Sequence, residues 1–203
     1  MPNLYNKYIL PHLLNKGMRS TEFNDTRSKV VDPAHGTVLE IGFGSGYNLP
    51  FYKNVTKLYA LEPSEELFEY AKERIKSSPF PVEYLKCSAE DIPLEDNSID
   101  TVVSTWTLCS IPDLSKTLEE IHRVLKPGGK FLFAEHGKHS KKINSIIQRL
   151  ITPITKYFTG NCHLDRKIDV EIKKSGLIIE TIQMSPEDSR PLKFSYRGIA
   201  VKI

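Results

Sequence analysis

The residues of this chain with the clearest chemical capacity sit where hydrophobic runs end. Val38-Leu39-Glu40-Ile41 runs into Gly42-Phe43-Gly44-Ser45-Gly46, and Lys57-Leu58-Tyr59-Ala60-Leu61 runs into Glu62-Pro63. Glycines after a strand let the backbone approach a nucleotide-like ligand closely. A dinucleotide loop reads Gly-x-Gly-x-x-Gly; here the third glycine is Gly46 and the sixth position is Tyr47, so pyrophosphate binding is disfavoured. Glu40, just ahead of the loop, would repel a phosphate but suits a ligand ammonium. Glu62, 20 positions after Gly42, is spaced to accept hydrogen bonds from both hydroxyls of a ribose. A ribose acid, an ammonium-binding acid and a loop unsuited to phosphate together specify an adenosyl ligand that carries an amino acid. That ligand is S-adenosylmethionine.

Other reactive side chains are scattered. His136 closes the fifth hydrophobic run and is the candidate general base, or else a rim histidine bonded to the next loop. Cys162-His163 are adjacent and lack partners at metal-ligand spacing, so they are expected to pack and cap, and no metal is expected. Cys109 reads as a small buried hydrophobe and Trp106 as a pocket wall. The third cysteine, Cys87, leaves an odd number with no Cys-x-x-Cys. That argues against a disulfide framework or structural zinc and for a reduced, cytoplasmic setting.

Positioning these groups requires strands that share a rim. From Thr37 onward, apolar runs alternate with helical patterns. Val82–Leu85, Ile99–Ser104 and Lys130–Ala134 complete five strand candidates. Ser64 is placed to cap a helix carrying Leu67, Phe68, Ala71 and Ile75, and a further helix is expected near Leu49-Pro50. Asp113 is placed to cap another with Leu114, Leu118, Ile121 and Leu125 on one face, stopped by Pro127-Gly128-Gly129. Such alternation means an α/β fold, a parallel sheet covered on both faces. Leu177–Met184 and Phe194–Ile203 follow one another without a helix and should be antiparallel.

At 203 residues, with 39% hydrophobic and 26% charged residues, the chain suits one ordinary domain and is neither a disordered tail nor a fibre. Neither a signal peptide nor a membrane span is expected from its pattern. The net charge of +3 hides a split. Residues 38–136 hold 10 basic and 16 acidic groups, whereas residues 137–203 hold 13 and 6.

Taken together, VLEIGFGSGYNLPFY, LYALEPSEEL, CSAEDIPLEDNSIDTVVSTWTLCSIPD and IHRVLKPGGKFLFAEH resemble class I S-adenosylmethionine-dependent methyltransferases of the ubiquinone/menaquinone-biosynthesis-like type. The pairing of FAEH with GNCHLDR is similar to that in methyltransferase-like thiol S-methyltransferases and their bacterial relatives. The resemblance implies a Rossmann-like seven-stranded sheet, mostly parallel with an antiparallel last strand. It implies that Glu40, Gly42, Phe43, Gly44, Ser45 and Gly46 hold the amino-acid end of the cofactor and Glu62 the ribose, with Asn48 also at the cofactor. Pro63, Ser64, Ser88, Ala89 and Glu90 would border the adenine, with Ser88 standing where the family often has Asp. Ser104 and Thr105 would lie beneath the sulfonium, with Trp106, Cys109, Cys162 and His163 on the substrate side. One methyltransferase domain is expected over 1–203, with a lid at 1–36, a cofactor half at 37–136 and a substrate-side cover at 137–203.

The acceptor is expected to be a small molecule, a thiol ahead of a quinone-like, phenolic, amine or lipid acceptor. Nucleic acid is not expected: the Asp/Asn-Pro-Pro-aromatic loop of base-amino methylating enzymes is replaced by Ser104-Thr105-Trp106-Thr107, and Cys109 follows Leu108 where a cytosine-C5 enzyme needs Pro-Cys. Rival readings are a nicotinamide oxidoreductase and a module that holds the cofactor without turnover. Ile143, Ile146, Ile147, Leu150, Ile151, Ile154 and Phe158 form one helical face, with Pro153 placed to kink it. That face reads either as a wall of the substrate pocket or as a surface for reversible contact with an anionic membrane. The oligomeric state is left open.

Overall fold

A computed structural model describes residues 4–203; the first three residues of the expected domain lie outside the described residues. Seven strands form one sheet. In chain order they are β1 (His35–Ile41), β2 (Asn54–Leu61), β3 (Val82–Leu85), β4 (Ile99–Thr105), β5 (Leu125–His136), β6 (Ile178–Met184) and β7 (Ser195–Val201). Their spatial order is β3-β2-β1-β4-β5-β7-β6. The first five run parallel, and β7 lies antiparallel to both β5 and β6. This is the α/β sheet expected, including its antiparallel closing strand.

Alternation along the strands fills two cores. Leu39, Ile41, Val102, Phe131 and Phe133 face one side, where Leu118 and Ile121 of α5 (Leu114–Val124) cover them. Val38, Val103 and Leu132 face the other, beneath Val30 and Val31 of α2 (Thr21–Val31) and Phe68 of α3 (Glu65–Glu69). Successive strand residues point to opposite faces, so a run such as Phe131-Leu132-Phe133 feeds both layers. Strand order reverses between β1 and β4, which opens a crevice beyond their C-terminal ends.

The expected helix caps are present. Ser64 Oγ accepts from Leu67 N at 3.1 Å, and Asp113 Oδ1 accepts from Lys116 N at 3.0 Å. The helix begun by Ser64 is broken, however: α3 stops at Glu69 and α4 covers Lys72–Lys76. Only a 3-10 turn, Leu49–Phe51, follows the glycine loop, because Pro50 and the tether of Asn48 described below hold that segment against β1. A short helix absent from the sequence expectations, α7 (Ile168–Lys174), buries Ile168 and Ile172 one turn apart.

N-terminal to the sheet, a π-helical turn (Tyr5–Ile9) leads into α1 (Leu10–Met18). Tyr5 donates its hydroxyl to Phe158 O and stacks on Tyr157, tying this lid to α6 (Lys142–Phe158). Helix α6 corrects the pocket-wall reading. It buries Gln148 and Thr152, while Ile143, Leu150 and Ile154 are exposed by 63%, 72% and 60%. Gln148 is drawn inward by polar demand: its amide donates to Gly137 O and Pro191 O and accepts from His139 N. Among the described residues no helix is long and apolar enough to cross a membrane.

Candidate active site

At the C-terminal rim of β1, β2 and β4 lies a cavity of about 330 Å³, at the lower end of the range for small-molecule sites. The glycine loop forms its floor. Gly42 has φ +68°, and a Cβ there would run into the Thr107 side chain, so both conformation and space require glycine. Gly42 N and Phe43 N donate to Leu61 O, which fastens the loop across the end of β2. Gly44, at φ +55°, donates its N–H to Glu62 Oε2 at 3.0 Å. Ser64 N donates to Glu62 Oε1 at 2.9 Å. Two backbone N–H groups thus aim the Glu62 carboxylate. Its burial raises its pKa, and these hydrogen bonds offset part of the rise.

Glu40 is fully buried beside the loop. Its Oε1 accepts from Asn48 Nδ2 at 2.9 Å, and its Oε2 accepts from the Tyr52 hydroxyl at 2.7 Å. Burial pushes its pKa up to about 8, against the opposing effects of Tyr52, Asn48 and the Arg27 charge. Asn48 Nδ2 also donates to Thr105 Oγ1 at 3.0 Å, so the ends of β1 and β4 share one polar network. Asn48 Oδ1 and Ser45 Oγ are buried without any hydrogen-bond partner in the described structure. Both belong to cavity-lining residues, and orphaned buried polar atoms at a cavity wall mark places a polar ligand satisfies. Two carboxylates, an orphan amide oxygen and close-approach glycines fit a ligand with ammonium, sulfonium and ribose groups.

Arg27 was not a sequence candidate. It comes from α2, is 1% exposed and lines the cavity. Its guanidinium lies 5.5, 5.4 and 5.3 Å from the rings of Phe23, Tyr47 and Trp106, and donates to Met18 O and Asn24 Oδ1. Burial lowers its pKa to about 10, so it remains charged at neutral pH. No local pattern in TEFNDTRSKVV distinguishes this arginine; its position becomes visible only when α2 folds over the rim. Trp106 holds φ +54°, a left-handed conformation that bulky residues rarely adopt, and its ring meets Phe23 edge-on at 4.6 Å.

The other expected site residues divide into two groups. Glu40, Gly42, Phe43, Gly44, Ser45, Asn48, Glu62, Pro63, Ser88, Ala89, Thr105 and Trp106 all line the cavity. Gly46, Ser64, Glu90, Ser104, Cys109, His136, Cys162 and His163 do not. Gly46 shapes the turn at φ +73°, and Ser64 caps α3. Glu90 accepts from Asp113 N at 2.6 Å and from Ser88 Oγ at 2.9 Å, bracing the start of α5. Ser104 Oγ donates to Glu135 Oε1 at 2.7 Å beneath the cavity.

Glu135, another residue the sequence reading missed, is buried and gathers the loop after β4. It accepts from Thr107 N at 3.2 Å and from Cys109 N at 3.3 Å. The 160–166 segment then clamps that loop from outside. His163 N donates to Cys109 O at 2.8 Å, and the Arg166 guanidinium donates to Leu108 O and Ile111 O. Cys162-His163 therefore do have spatial partners: Cys109, His136 and Cys162 converge, with Nδ1 of His136 beside both thiols. The expected base role of His136 does not fit this placement, because its Nδ1 is engaged with buried sulfur and it is not part of the cavity wall.

A Rossmann-like sheet of this order, with a buried acid at the end of β2 and a glycine loop after β1, is the arrangement of class I S-adenosylmethionine-dependent methyltransferases, and the chain belongs to that family. A family model described as a methyltransferase domain matches residues 39–133. The chain is 33% identical over 172 residues to the thiol S-methyltransferase TMT1B of Rattus norvegicus, covering 82% of this chain and 70% of the relative. It is 26% identical over 159 residues to a phosphatidylethanolamine N-methyltransferase of Cereibacter sphaeroides, covering 77% of each. Among solved structures, a SAM-dependent methyltransferase from Aquifex aeolicus superposes with a TM-score of 0.68 at 20% identity, covering 95% of this chain and 98% of that one. The protein is an S-adenosylmethionine-dependent methyltransferase of small molecules.

Proposed function

We propose that the acceptor is a small, partly apolar thiol. The observation that carries this reading is the make-up of the cavity wall. Its ionisable side chains are Arg27, Glu40, Tyr47 and Glu62, and both carboxylates are committed to hydrogen bonds at the cofactor end. An acceptor methylated here brings its own nucleophile. A thiol with pKa about 8.5 is partly ionised near neutral pH, whereas a phenol near 10 needs a base. The substrate side, formed by Leu14, Met18, Trp106, Ile111 and Thr159, suits an apolar body. Similarity to a thiol S-methyltransferase supports the same choice.

Bound S-adenosylmethionine supplies an electrophilic methyl group on a sulfonium with a neutral leaving group. The protein's part is to hold and orient. Glu40, through Asn48 and Tyr52, presents a fixed carboxylate to the ligand ammonium. Arg27, a charged group in the same cavity wall, would meet the ligand carboxylate, and Glu62 would take the ribose. Trp106 and the lid of α1 and α2 exclude water from the reacting side. Alignment of nucleophile and methyl group can account for ~7–11 kcal/mol of the barrier, so neither acid nor covalent intermediate is needed.

Reversible docking on an anionic membrane is the second part of the reading. Ile143, Ile146, Leu150 and Ile154 are exposed along α6, and Lys141, Lys142, Arg149 and Lys156 accompany them. The experiment is a methyl-transfer screen with labelled cofactor against aliphatic thiols, phenols, quinols, amines and phosphatidylethanolamine, with and without anionic vesicles. Turnover of thiols that follows the thiolate fraction supports the assignment. Turnover confined to amines, phenols or lipid would sink it, and failure to co-sediment with anionic vesicles would remove the membrane part.

A further inference from the structure

The convergence of Cys109, His136 and Cys162 is left unused by methyl transfer. These residues come from the loop after β4, the last position of β5 and the loop after α6, separated by 27 and 26 positions in sequence. Cys109 Sγ and Cys162 Sγ lie 3.4 Å apart, and His136 Nδ1 lies 3.8 and 3.9 Å from them. Ligand atoms around one tetrahedral zinc, with bonds of ~2.3 Å to sulfur and ~2.0–2.1 Å to nitrogen, stand ~3.5–3.8 Å apart. The triangle is close to the size that one ion imposes. It is also enclosed: the cysteines are 1% and 7% exposed and pack with Leu164 and Ile151.

We propose that Cys109, His136 and Cys162 bind one soft transition-metal ion, zinc by their ligand type. Both thiols give their protons to solvent, and two thiolates with a neutral imidazole balance a divalent charge, so the buried site is neutral. Three protein ligands leave a fourth position for water. Ser110, whose Oγ lies 3.7 Å from Cys109 Sγ, also lines the cavity, so the ion would stand one residue behind the substrate wall. It would pin the loop after β4 to the end of β5 and to the 160–166 loop. These are the segments that Glu135 and Arg166 already gather by hydrogen bonds. Its role is to fix the acceptor side of the cavity and not to take part in transfer.

The test is titration of the reduced, chelator-treated full chain with Co²⁺, then Zn²⁺. One equivalent of cobalt should produce sulfur-to-metal charge-transfer absorption and the intense visible bands of tetrahedral coordination, both erased by zinc. Cys109→Ser and Cys162→Ser should each weaken binding by more than ~100-fold, whereas Cys87→Ser, whose half-buried thiol lies outside the cluster, should not. Calorimetric binding of S-adenosylmethionine shows which variants remain folded, and the wild-type titration decides the question if the cysteine variants do not fold. Wild-type protein that binds the cofactor but gives no thiolate–cobalt band would overturn the metal site. So would loss of two thiols to an intramolecular disulfide in air without metal uptake by the reduced form, which would assign the pair to redox chemistry.

Discussion

Glu40 should make cofactor binding depend on pH in a calculable way. Its folded pKa of about 8 lies above the ordinary carboxylate value of 4.5, because burial disfavours the charge more than Tyr52, Asn48 and Arg27 favour it. A raised carboxylate pKa means that the ligand-free fold is favoured while Glu40 is neutral. That contribution is complete below the unfolded pKa and is lost as pH rises through about 8. A ligand ammonium reverses the preference, because it requires the carboxylate. At pH 7 about 90% of Glu40 is protonated, and the ligand amine takes up ~0.1 proton, so binding should release about 0.8 proton in all. Affinity should rise close to tenfold between pH ~6 and ~7 and flatten above that, where Glu40 is increasingly ionised and the ligand α-amino group, with pKa about 7.7–8.0, begins to lose its own proton. Calorimetry in buffers of different ionisation enthalpy measures the released proton directly. Glu40→Gln should bind more weakly, with no slope and no release. A flat profile in the wild type, with no proton released, would show that the carboxylate is already ionised in the free protein and refute the reasoning.

Glu62→Ala removes the acceptor for Gly44 N and Ser64 N as well as the proposed ribose contact. Cofactor binding should fall by at least ~10-fold, on the scale of ~1.5–3 kcal/mol for hydrogen bonds to a charged group; unchanged affinity by calorimetry would refute the ribose assignment. Arg27→Met keeps much of the volume but loses the cation between three rings. Hydrogen exchange across residues 10–31 should quicken and cofactor affinity should drop, and exchange at the wild-type rate would count against its role as lid anchor. Two glycines should respond oppositely in thermal denaturation. Gly42→Ala meets Thr107 at positive φ and should destabilise by more than ~1 kcal/mol, whereas Gly17→Ala, within α1 and with nothing near its added carbon, should stabilise by ~0.5–1 kcal/mol.

The sequence showed most plainly what is decided locally. Strand alternation, the Gly42–Gly46 turn and the acids at the ends of β1 and β2 each lie within a few residues of one another, and each is where it was expected. Pairing of the two C-terminal strands was also visible, because a polar loop without a helical pattern joins them; the structure adds only a 3-10 turn there, Pro191–Lys193. What depended on long-range packing was hidden. Arg27 is one arginine among polar neighbours until Phe23, Tyr47 and Trp106 surround it. Cys109, His136 and Cys162 meet only because β4 and β5 are neighbours and the chain returns after α6. The isoleucine face of α6 was legible as a face, but its exposure was not: Gln148 wins the buried side by satisfying three backbone groups, a demand that hydrophobic periodicity does not register.

The position of β7 has a consequence for the order in which the sheet can assemble. Strand β6 has its only strand partner, among the described residues, in β7, and β7 in turn fills the flank of β5. Chain order and spatial order are therefore inverted at this edge. In any state in which β7 is not seated, one side of β5 is unpaired and β6 has no strand to bind. An open strand flank is a template for pairing with another molecule. Folding intermediates of this protein should accordingly be most vulnerable to association at β5, and the seven residues of β7 act as an internal seal for an edge that would otherwise recruit a neighbour.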